Sequence, residues 1–190
     1  REPLKELKDL NAAIAGDPNA VAGALASYLQ EHCGISLALQ GPPGTGKTTV
    51  TGEVIAQLVG DGQRVAISSN SHPAINNLLR KAKSTCTAAG VASEVVKCSN
   101  AKEDPLAAEG FSVVRPDQLS EEMAVVGGTT WMFCKEELDD QFDLLVVDEA
   151  GQMSLANLLV MARCARSILL VGDQQQLAQP SQADHPGDSG

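Results

Sequence analysis

The chain has 190 residues, 43% of them hydrophobic, which suits one α/β domain or slightly more with a core of its own. Its net charge is −10, from 14 basic and 24 acidic residues, and this argues against a protein that coats nucleic acid with a basic surface. A local groove that grips a strand through backbone amides and hydroxyls is compatible with that charge. No apolar run is long enough to span a bilayer and no leader pattern opens the chain, so we expect a cytoplasmic protein without a membrane partner.

Five cysteines are scattered along the chain, with no C-x-x-C pair and only three histidines beside them. This pattern favours reduced thiols, mostly buried as small hydrophobes, in a cytosolic protein. A zinc site is the less favoured alternative. The cysteines are Cys33, Cys86, Cys98, Cys134 and Cys164.

Two packing helices are predicted ahead of the first strand. Apolar residues recur at helical spacing within residues 1–15, and Asp17-Pro18 is a typical cap for a second helix that Gly34 ends. The chain opens at Arg1 and closes in a polar string, so we expect a piece of a longer protein.

A phosphate-binding loop follows. Gly41–Thr48 matches the pattern G-x-x-x-x-G-K-[ST] at every constrained position, between a predicted strand at Ser36–Gln40 and a predicted helix at Thr49–Val59. Lys47 is expected to reach the β- and γ-phosphates of a nucleotide, and the Thr48 hydroxyl to bind Mg²⁺. A plain glycine-rich turn is the alternative. The predicted nucleotide-binding residues are Gly41, Pro42, Pro43, Gly44, Thr45, Gly46, Lys47, Thr48 and Thr49.

Two polar loops follow later predicted strands, and each allows two interpretations. Ser69–Pro73 comes after a strand at Arg64–Ser68 and before a helix, so its residues suit either helix capping or binding of a sugar-phosphate backbone. Val125–Thr130 is predicted as a strand that ends in a glycine turn beside two hydroxyls, with the same two alternatives. Local sequence alone favours capping and turn formation.

Several nearby features have ordinary structural explanations. The basic cluster Arg80, Lys81 and Lys83 is interpreted as a solvated helix face. Because aromatic residues make up only 3% of the chain, we place Trp131 and Phe133 in the core rather than on a base-stacking platform. Glu94–Cys98 is a predicted strand, and Ala101–Gly110 a polar connection.

The segment Phe142–Glu149 is the second part of the predicted nucleotide site. Its continuous apolar stretch is typical of a strand buried on both faces, and it delivers two carboxylates at its end. In open α/β sheets ligands bind at that edge, which is also the edge of the phosphate loop. Asp148 is expected to hold Mg²⁺ and Glu149 to orient and deprotonate the attacking water.

A third polar group ends the recognisable pattern. A helix is predicted over Leu155–Ala165 and a buried strand over Ile168–Val171, followed by Gly172–Leu177. Gln176 in that segment is expected to hydrogen-bond the γ-phosphate or the attacking water, as glutamines do in other nucleotide hydrolases.

Together these groups resemble motifs I, II and III of superfamily 1 helicases. The resemblance covers roughly residues 35–190 and rests on Gly41–Thr48, Asp148–Gln152 and the G-D-x-x-Q-L pattern from Gly172 to Leu177. Ser69–Pro73 falls at motif Ia and Gly128–Thr130 at motif Ic, which raises the strand-binding interpretation of both loops. The residues within these motifs are similar to those of the 5′-to-3′ branch of the family, and within that branch to those of bacterial RecB-like nuclease–helicases.

The resemblance implies a three-layer RecA-like P-loop domain with a mainly parallel sheet. The implied boundaries are a helical lead-in at 1–34, the ATPase domain at 35–180 and a linker at 181–190 toward a second RecA-like domain, whose motifs IV to VI and arginine finger this chain lacks. The implied ligands are ATP, Mg²⁺ and a single strand, with DNA favoured over RNA. The implied strand contacts are Ser69, Asn70, Ser71, His72, Thr129 and Thr130.

The implied activity is ATP hydrolysis coupled to movement along that strand. Two alternatives stay open: another P-loop ATPase without unwinding, and a nucleotide-dependent switch or interaction module. No nuclease carboxylate cluster is recognisable, and residues 1–34 offer no convincing adenine-reading glutamine.

Overall fold

Seven parallel strands form one sheet in the part of the chain that the computed structural model describes, residues 18–101 and 103–173. Their order across the sheet is β1-β7-β6-β2-β5-β3-β4, and every neighbouring pair is parallel. The strands are β1 (Ser36–Gln40), β2 (Val65–Ser69), β3 (Val95–Cys98), β4 (Ser112–Val114), β5 (Val125–Gly127), β6 (Phe142–Asp148) and β7 (Ala165–Gly172).

Helices connect these strands and cover both faces of the sheet. Short 3₁₀ turns lie at Pro116–Gln118, Glu136–Leu138, Ala150–Gln152 and Ala162–Cys164. The α-helices of the described residues are α1 (Pro18–Glu31), α2 (Lys47–Gly60), α3 (His72–Ala88), α4 (Pro105–Ala108), α5 (Thr130–Phe133) and α6 (Leu155–Met161).

Two hydrophobic clusters, one on each face, hold the layers together. The first packs α1, α2 and α3 against one face, and the second packs α5 and α6 against the other. Successive residues of β6 alternate between them, with Val146 in the first cluster and Val147 in the second. A strand buried on both faces has to be apolar throughout, which is why Phe142–Asp148 has such a sequence. The predicted three-layer α/β fold is confirmed.

Most predicted elements lie within a few residues of their observed bounds. β4 and α5 have no counterpart in the prediction, and two further differences are local. The helix predicted over Leu155–Ala165 stops at Met161, and β7 already begins at Ala165. The predicted polar connection Ala101–Gly110 contains α4, because Leu106 is fully buried and anchors that turn. The helix predicted within residues 1–15 lies outside the described residues.

The prediction for the two aromatic residues after β5 is right for one and wrong for the other. Phe133 is 0% exposed and meets Phe142 edge to face, with ring centroids 5.7 Å apart. Trp131 is 79% exposed. The two residues are two positions apart on a helical turn, about 200° around its axis, so they cannot share a face.

The polar features of the surface follow their predictions in most respects. Arg80 pairs with Glu109 at 2.6 Å at the surface, as a solvated helix face requires. All five cysteines are free; Cys86, Cys98 and Cys164 are buried, and burial raises the pKa of Cys164 to about 12. Among the described helices, none has the length and apolar character to cross a membrane.

β3 carries a buried lysine that the sequence analysis did not single out. Lys97 is 0% exposed, and its Nζ donates to Asn76 Oδ1 at 3.0 Å. Removal from water lowers the pKa of Lys97, and the nearby Asp104 carboxylate offsets part of that effect. The folded chain therefore binds the Lys97 proton less tightly than the unfolded chain does.

Replacing this lysine and its partner together by apolar side chains of similar volume, Lys97→Met with Asn76→Leu, is expected to stabilise the fold at neutral pH by about 1 kcal/mol or more, because neither a buried cation nor an unpaired amide oxygen then remains. The wild-type free energy of unfolding should rise with pH between the lowered folded pKa and the unfolded value of about 10.4, because the unfolded chain binds more protons there. The advantage of the double variant should therefore shrink across that interval. Urea unfolding at a series of pH values measures this, with the exposed Lys135→Met as control. An advantage that is absent, or that does not change with pH, would contradict the assignment.

Candidate nucleotide site and sheet edge

The carboxyl ends of β1, β7, β6 and β2 meet at one edge of the sheet. Gln40 pairs with Gly172 across β1 and β7, and the Gly41 amide donates to the Gly172 carbonyl at 3.3 Å. β6 lies on the other side of β7, and its last residue, Asp148, pairs with Ser69 of β2. The phosphate loop and the two carboxylates are thus separated by a single strand. The sequence predicted this shared edge.

The phosphate loop owes its shape to glycines. Gly44 and Gly46 have φ of +80° and +86°, a left-handed backbone that glycine adopts without a Cβ clash. A Cβ at Gly41 would lie 2.8 Å from Thr45 Oγ1, so this position has no room for a side chain. The loop leads directly into α2, whose first residue is Lys47. A helix N-terminus that follows such a loop favours bound anions.

The Lys47 ammonium lies across the loop that precedes it. Its Nζ donates to the Gly41 carbonyl at 2.5 Å and to the Pro42 carbonyl at 2.9 Å. Thr45 Oγ1 donates to the same Pro42 oxygen at 2.8 Å. Thr48, which follows Lys47, is exposed. The Lys47 ammonium is therefore held at the mouth of the loop, where phosphate oxygens can reach it, and the neighbouring Thr48 side chain is open to solvent.

The two carboxylates at the end of β6 have different surroundings. Asp148 is partly buried, and its Oδ1 accepts from the Glu149 amide at 3.0 Å. Burial raises the pKa of Asp148 and the Glu149 charge adds to the rise, while that amide hydrogen bond and the Lys47 ammonium oppose it. The charge of Lys47 is thus felt at Asp148, across β7.

Glu149 has an unusual backbone. Its φ of 54° and ψ of 39° are left-handed, which is uncommon for a residue with a Cβ and costs about 1 kcal/mol or more. It ends the strand direction at once and starts the 3₁₀ turn Ala150–Gln152. Strained backbone of this kind concentrates at functional sites, and here it turns Glu149 out of the line of the strand, which ends at Asp148.

The oxygen donors at this edge suit a hydrated Mg²⁺ rather than a metal held entirely by protein. Within the described ranges, no three His, Cys, Asp or Glu side chains converge on one point. Mg²⁺ binds through one or two carboxylates, waters and phosphates, which Asp148 and the Thr48 hydroxyl can complete. Ser69 adds an observation: its Oγ is buried, lacks a hydrogen-bond partner and belongs to the residue in register with Asp148.

The third predicted group is described only in part. Gly172 packs against the turn after Glu149, since a Cβ there would lie 3.5 Å from the amide nitrogens of Ala150 and Gly151. Asp173 is the last residue described. Gln176 lies outside the described residues.

The residues predicted to contact a nucleic-acid strand lie at the same edge of the sheet, on the β2 side of Asp148. Asn70 and His72 are exposed, while Ser71 caps α3 by accepting from the Ala74 amide at 3.2 Å. The capping interpretation of this loop is therefore right for Ser71. Ser69 is only 3% exposed, and so it faces the interior of the edge rather than its surface.

The second loop lies beside the first. The Gly128 amide donates to the Ile67 carbonyl of β2 at 2.9 Å, which fixes the start of the loop against that strand. Thr129 is partly exposed at the N-terminus of α5, and Thr130 is 7% exposed. The two loops that are predicted to bind nucleic acid thus follow adjacent β-strands, β2 and β5.

The Asn70 side chain connects the loop after β2 to the 3₁₀ turn that follows Glu149. Asn70 Nδ2 donates to the carbonyl of Gln152, at the end of the turn that Glu149 begins. The sequence did not predict this contact, because the two residues are 82 positions apart. Only the adjacency of β2 and β6 brings them together.

The fold and the site define this chain as a P-loop nucleoside-triphosphatase domain of the RecA-like type. A family model described as "AAA domain" matches residues 22–185, and the chain belongs to that family. The relatives below are ATP-dependent helicases, and they support an ATP-binding domain of the superfamily 1 helicase class. Its particular closeness to RecB-like nuclease–helicases stays a prediction.

The relatives are ATP-dependent helicases. The DNA replication ATP-dependent helicase/nuclease DNA2 of Saccharomyces cerevisiae is 32% identical over 144 residues, which cover 72% of this chain and 9% of the relative. The DNA2 protein of Gallus gallus is 32% identical over 145 residues, which cover 72% and 14% respectively. The chain therefore spans less than a sixth of the length of either relative.

A solved structure shares the fold. The arterivirus helicase, nonstructural protein 10, determined in complex with DNA, superposes with a TM-score of 0.53 at 19% identity. The superposition covers 80% of this chain and 32% of the viral one.

The close approach at Gly41 yields a prediction. Gly41→Ala should displace Thr45 and the adjoining Lys47 chain, and so weaken binding of a fluorescent ATP analogue by roughly tenfold or more, about 1.4 kcal/mol. Thermal stability should change little, because the loop is at the surface. Gly23→Ala in α1 is the matched control, as nothing lies within 4 Å of a Cβ there. Equal affinities in the two variants would contradict the tight loop.

Proposed function

We propose that this chain is the first motor domain of a helicase, which binds Mg·ATP at the described edge and couples its hydrolysis to movement along a single strand. The observation that carries the proposal is the shared edge: the phosphate loop, the Asp148–Glu149 pair and two strand loops all leave the carboxyl ends of adjacent strands.

In this proposal Lys47 neutralises the β- and γ-phosphates, and the loop amides hold their oxygens. Thr48 and Asp148 hold Mg²⁺, which neutralises charge on the phosphates when bound. Glu149 orients a water in line with the γ-phosphate and accepts its proton. Gln176 contacts the γ-phosphate or that water. The charge of Lys47 felt at Asp148 supports a common site for these residues.

The strand is proposed to cross Asn70, Ser71 and His72, then Thr129 and Thr130. Neutral hydroxyls and amides suit a chain of net charge −10, which cannot rely on a basic surface. DNA is favoured over RNA, because the curated relatives are DNA replication proteins and the viral relative was solved with DNA. Ser69, which is buried at the end of β2 beside Asp148, is the remaining residue proposed to contact the nucleic acid.

A second RecA-like domain is proposed to complete the motor. Its arginine would stabilise the transition state, an effect worth roughly 10³–10⁵ in rate. The 190-residue chain by itself is therefore expected to bind Mg·ATP weakly and hydrolyse it very slowly, and several turnovers per second would contradict this. We propose domain boundaries near residues 35 and 180 and a cytoplasmic location, which the free thiols support.

Glu149→Gln tests whether the site hydrolyses ATP or only senses it. Loss of the base should leave ATP affinity within about twofold and lower the single-turnover hydrolysis rate by roughly 10²-fold or more. Lys47→Ala should instead lose ATP binding. The two rates and affinities are measured with radiolabelled ATP. An unchanged hydrolysis rate in Glu149→Gln would favour a nucleotide switch over a motor.

The Asn70–Gln152 contact predicts that binding of a nucleic-acid strand changes the affinity for ATP. Strand binding and ATP binding should strengthen each other, and Asn70→Ala should reduce that mutual effect by roughly fivefold. The comparison is the affinity for oligo(dT) with and without Mg·ATP in the Glu149→Gln background. Asn77→Ala, at an exposed asparagine of α3, is the control. If strand and ATP affinities are independent in the parent, another P-loop ATPase becomes the better description.

A further inference from the structure

The tryptophan at the sheet edge has no role in the fold. Trp131 is the single tryptophan of the chain and is 79% exposed, although tryptophan is among the more buried residue types. The neighbours of Trp131 on α5 are buried, at 6% for Met132 and 0% for Phe133. Its exposure therefore needs an explanation beyond packing.

The fold holds this indole outward. Phe133 is fixed against Phe142, and the Met132 side chain lies directly beneath Gly128, where a Cβ would come within 2.5 Å of the Met132 methyl. With these two residues and Thr130 turned inward, the remaining direction of the helical turn belongs to Trp131. The outward position follows from its neighbours rather than from a loose loop.

The indole lies where the strand is proposed to cross. Trp131 is the second residue of α5 and follows Thr129 and Thr130 directly. The Gly128 hydrogen bond to Ile67 fixes this turn beside β2, whose end leads into Asn70. The aromatic ring and the backbone-gripping loops therefore share one rim.

The local charge leaves stacking as the available source of affinity. The two loops at this rim, Ser69–His72 and Gly128–Trp131, contain no lysine or arginine. Such a rim neutralises few phosphates, so counterion release supplies little binding free energy. Stacking of a base on an aromatic ring carries no such requirement, because it needs no neutralisation of phosphates.

We propose that Trp131 stacks on an unpaired base of the bound strand, next to the phosphate that Thr129 contacts. The inference rests on the proposed function. The ligand class is a single strand, since the bases of a duplex are already stacked on one another. Contact with any of the four bases is allowed, because each has an aromatic face.

A protein partner is the competing occupant of this surface. Leu155 and Leu159 on α6 are 61% and 63% exposed, and α6 packs against α5. The two occupants differ in what Trp131 should respond to: a base quenches its fluorescence, whereas a protein contact changes oligomeric state.

The experiment uses the intrinsic fluorescence of the 190-residue chain, in which Trp131 is the sole tryptophan. Oligo(dT) is titrated into wild type, and anisotropy of labelled oligo(dT) gives affinities for Trp131→Ala, Trp131→Phe and the control Leu159→Ala. A strand of the same length with abasic positions keeps the phosphates and removes the bases. Thermal melts check that each variant is folded.

The proposal predicts saturable quenching by oligo(dT) and weaker quenching by the abasic strand. Trp131→Ala should lower affinity for oligo(dT) by roughly tenfold, Trp131→Phe by less, and Leu159→Ala by nothing measurable. On the abasic strand, Trp131→Ala and wild type should bind alike.

Two results would overturn it, and they differ. Strand binding without quenching, with Trp131→Ala equal to wild type, would remove the stacking role and leave the proposed function intact. A concentration-dependent dimer that Trp131→Ala dissociates, with strand affinity unchanged, would do the same and assign the surface to protein contact. Absence of strand binding by every variant, at any concentration tested, would overturn the stacking and the proposed function together.

Discussion

Pairing of β7 between β1 and β6 is the constraint on which the rest depends. The Gly41 amide bonds to the end of β7, and the turn after Glu149 packs on the same Gly172. This one strand end therefore sets the spacing between the phosphate loop and the carboxylates. Because both neighbouring pairs are parallel, the loop and the acids leave the sheet on the same side.

The next β-strand of the sheet, β2, carries a loop that is proposed to contact nucleic acid at the same edge as the nucleotide site. Ser69 at its end faces Asp148, while Asn70, one residue later, is exposed and bonds to the carbonyl of Gln152. In the proposed function, a nucleic-acid strand that displaces this loop would therefore also displace the turn that Glu149 opens. The Asn70–Gln152 contact would then couple the two sites without passing through the core.

The sequence predicted the parts of the site that are short in range and missed those that depend on adjacency. Gly41–Thr48 and Phe142–Glu149 each carry their own pattern, so their positions and shared edge could be predicted. The Asn70–Gln152 bond and the orphan Ser69 hydroxyl depend on β2 lying beside β6, which no local pattern encodes. Lys97 was missed for the same reason, since its partner Asn76 comes from a different element.

Trp131 shows a different kind of error. The expectation that it is buried came from the low aromatic content of the chain, which says nothing about the phase of one helical turn. Treating Val125–Thr130 as a strand and glycine turn left no helix at residue 130, so the outward direction of residue 131 was not visible. Phe133 was placed correctly because it lies on the inward side of that same turn.

A crystal structure of the chain with Mg²⁺ and a non-hydrolysable ATP analogue tests whether the edge is one site. We predict the β- and γ-phosphates on the loop amides and Lys47, with Mg²⁺ on the Thr48 hydroxyl and within one water of Asp148. A nucleotide bound elsewhere, or a metal out of reach of Asp148 through a single water, would contradict a shared site.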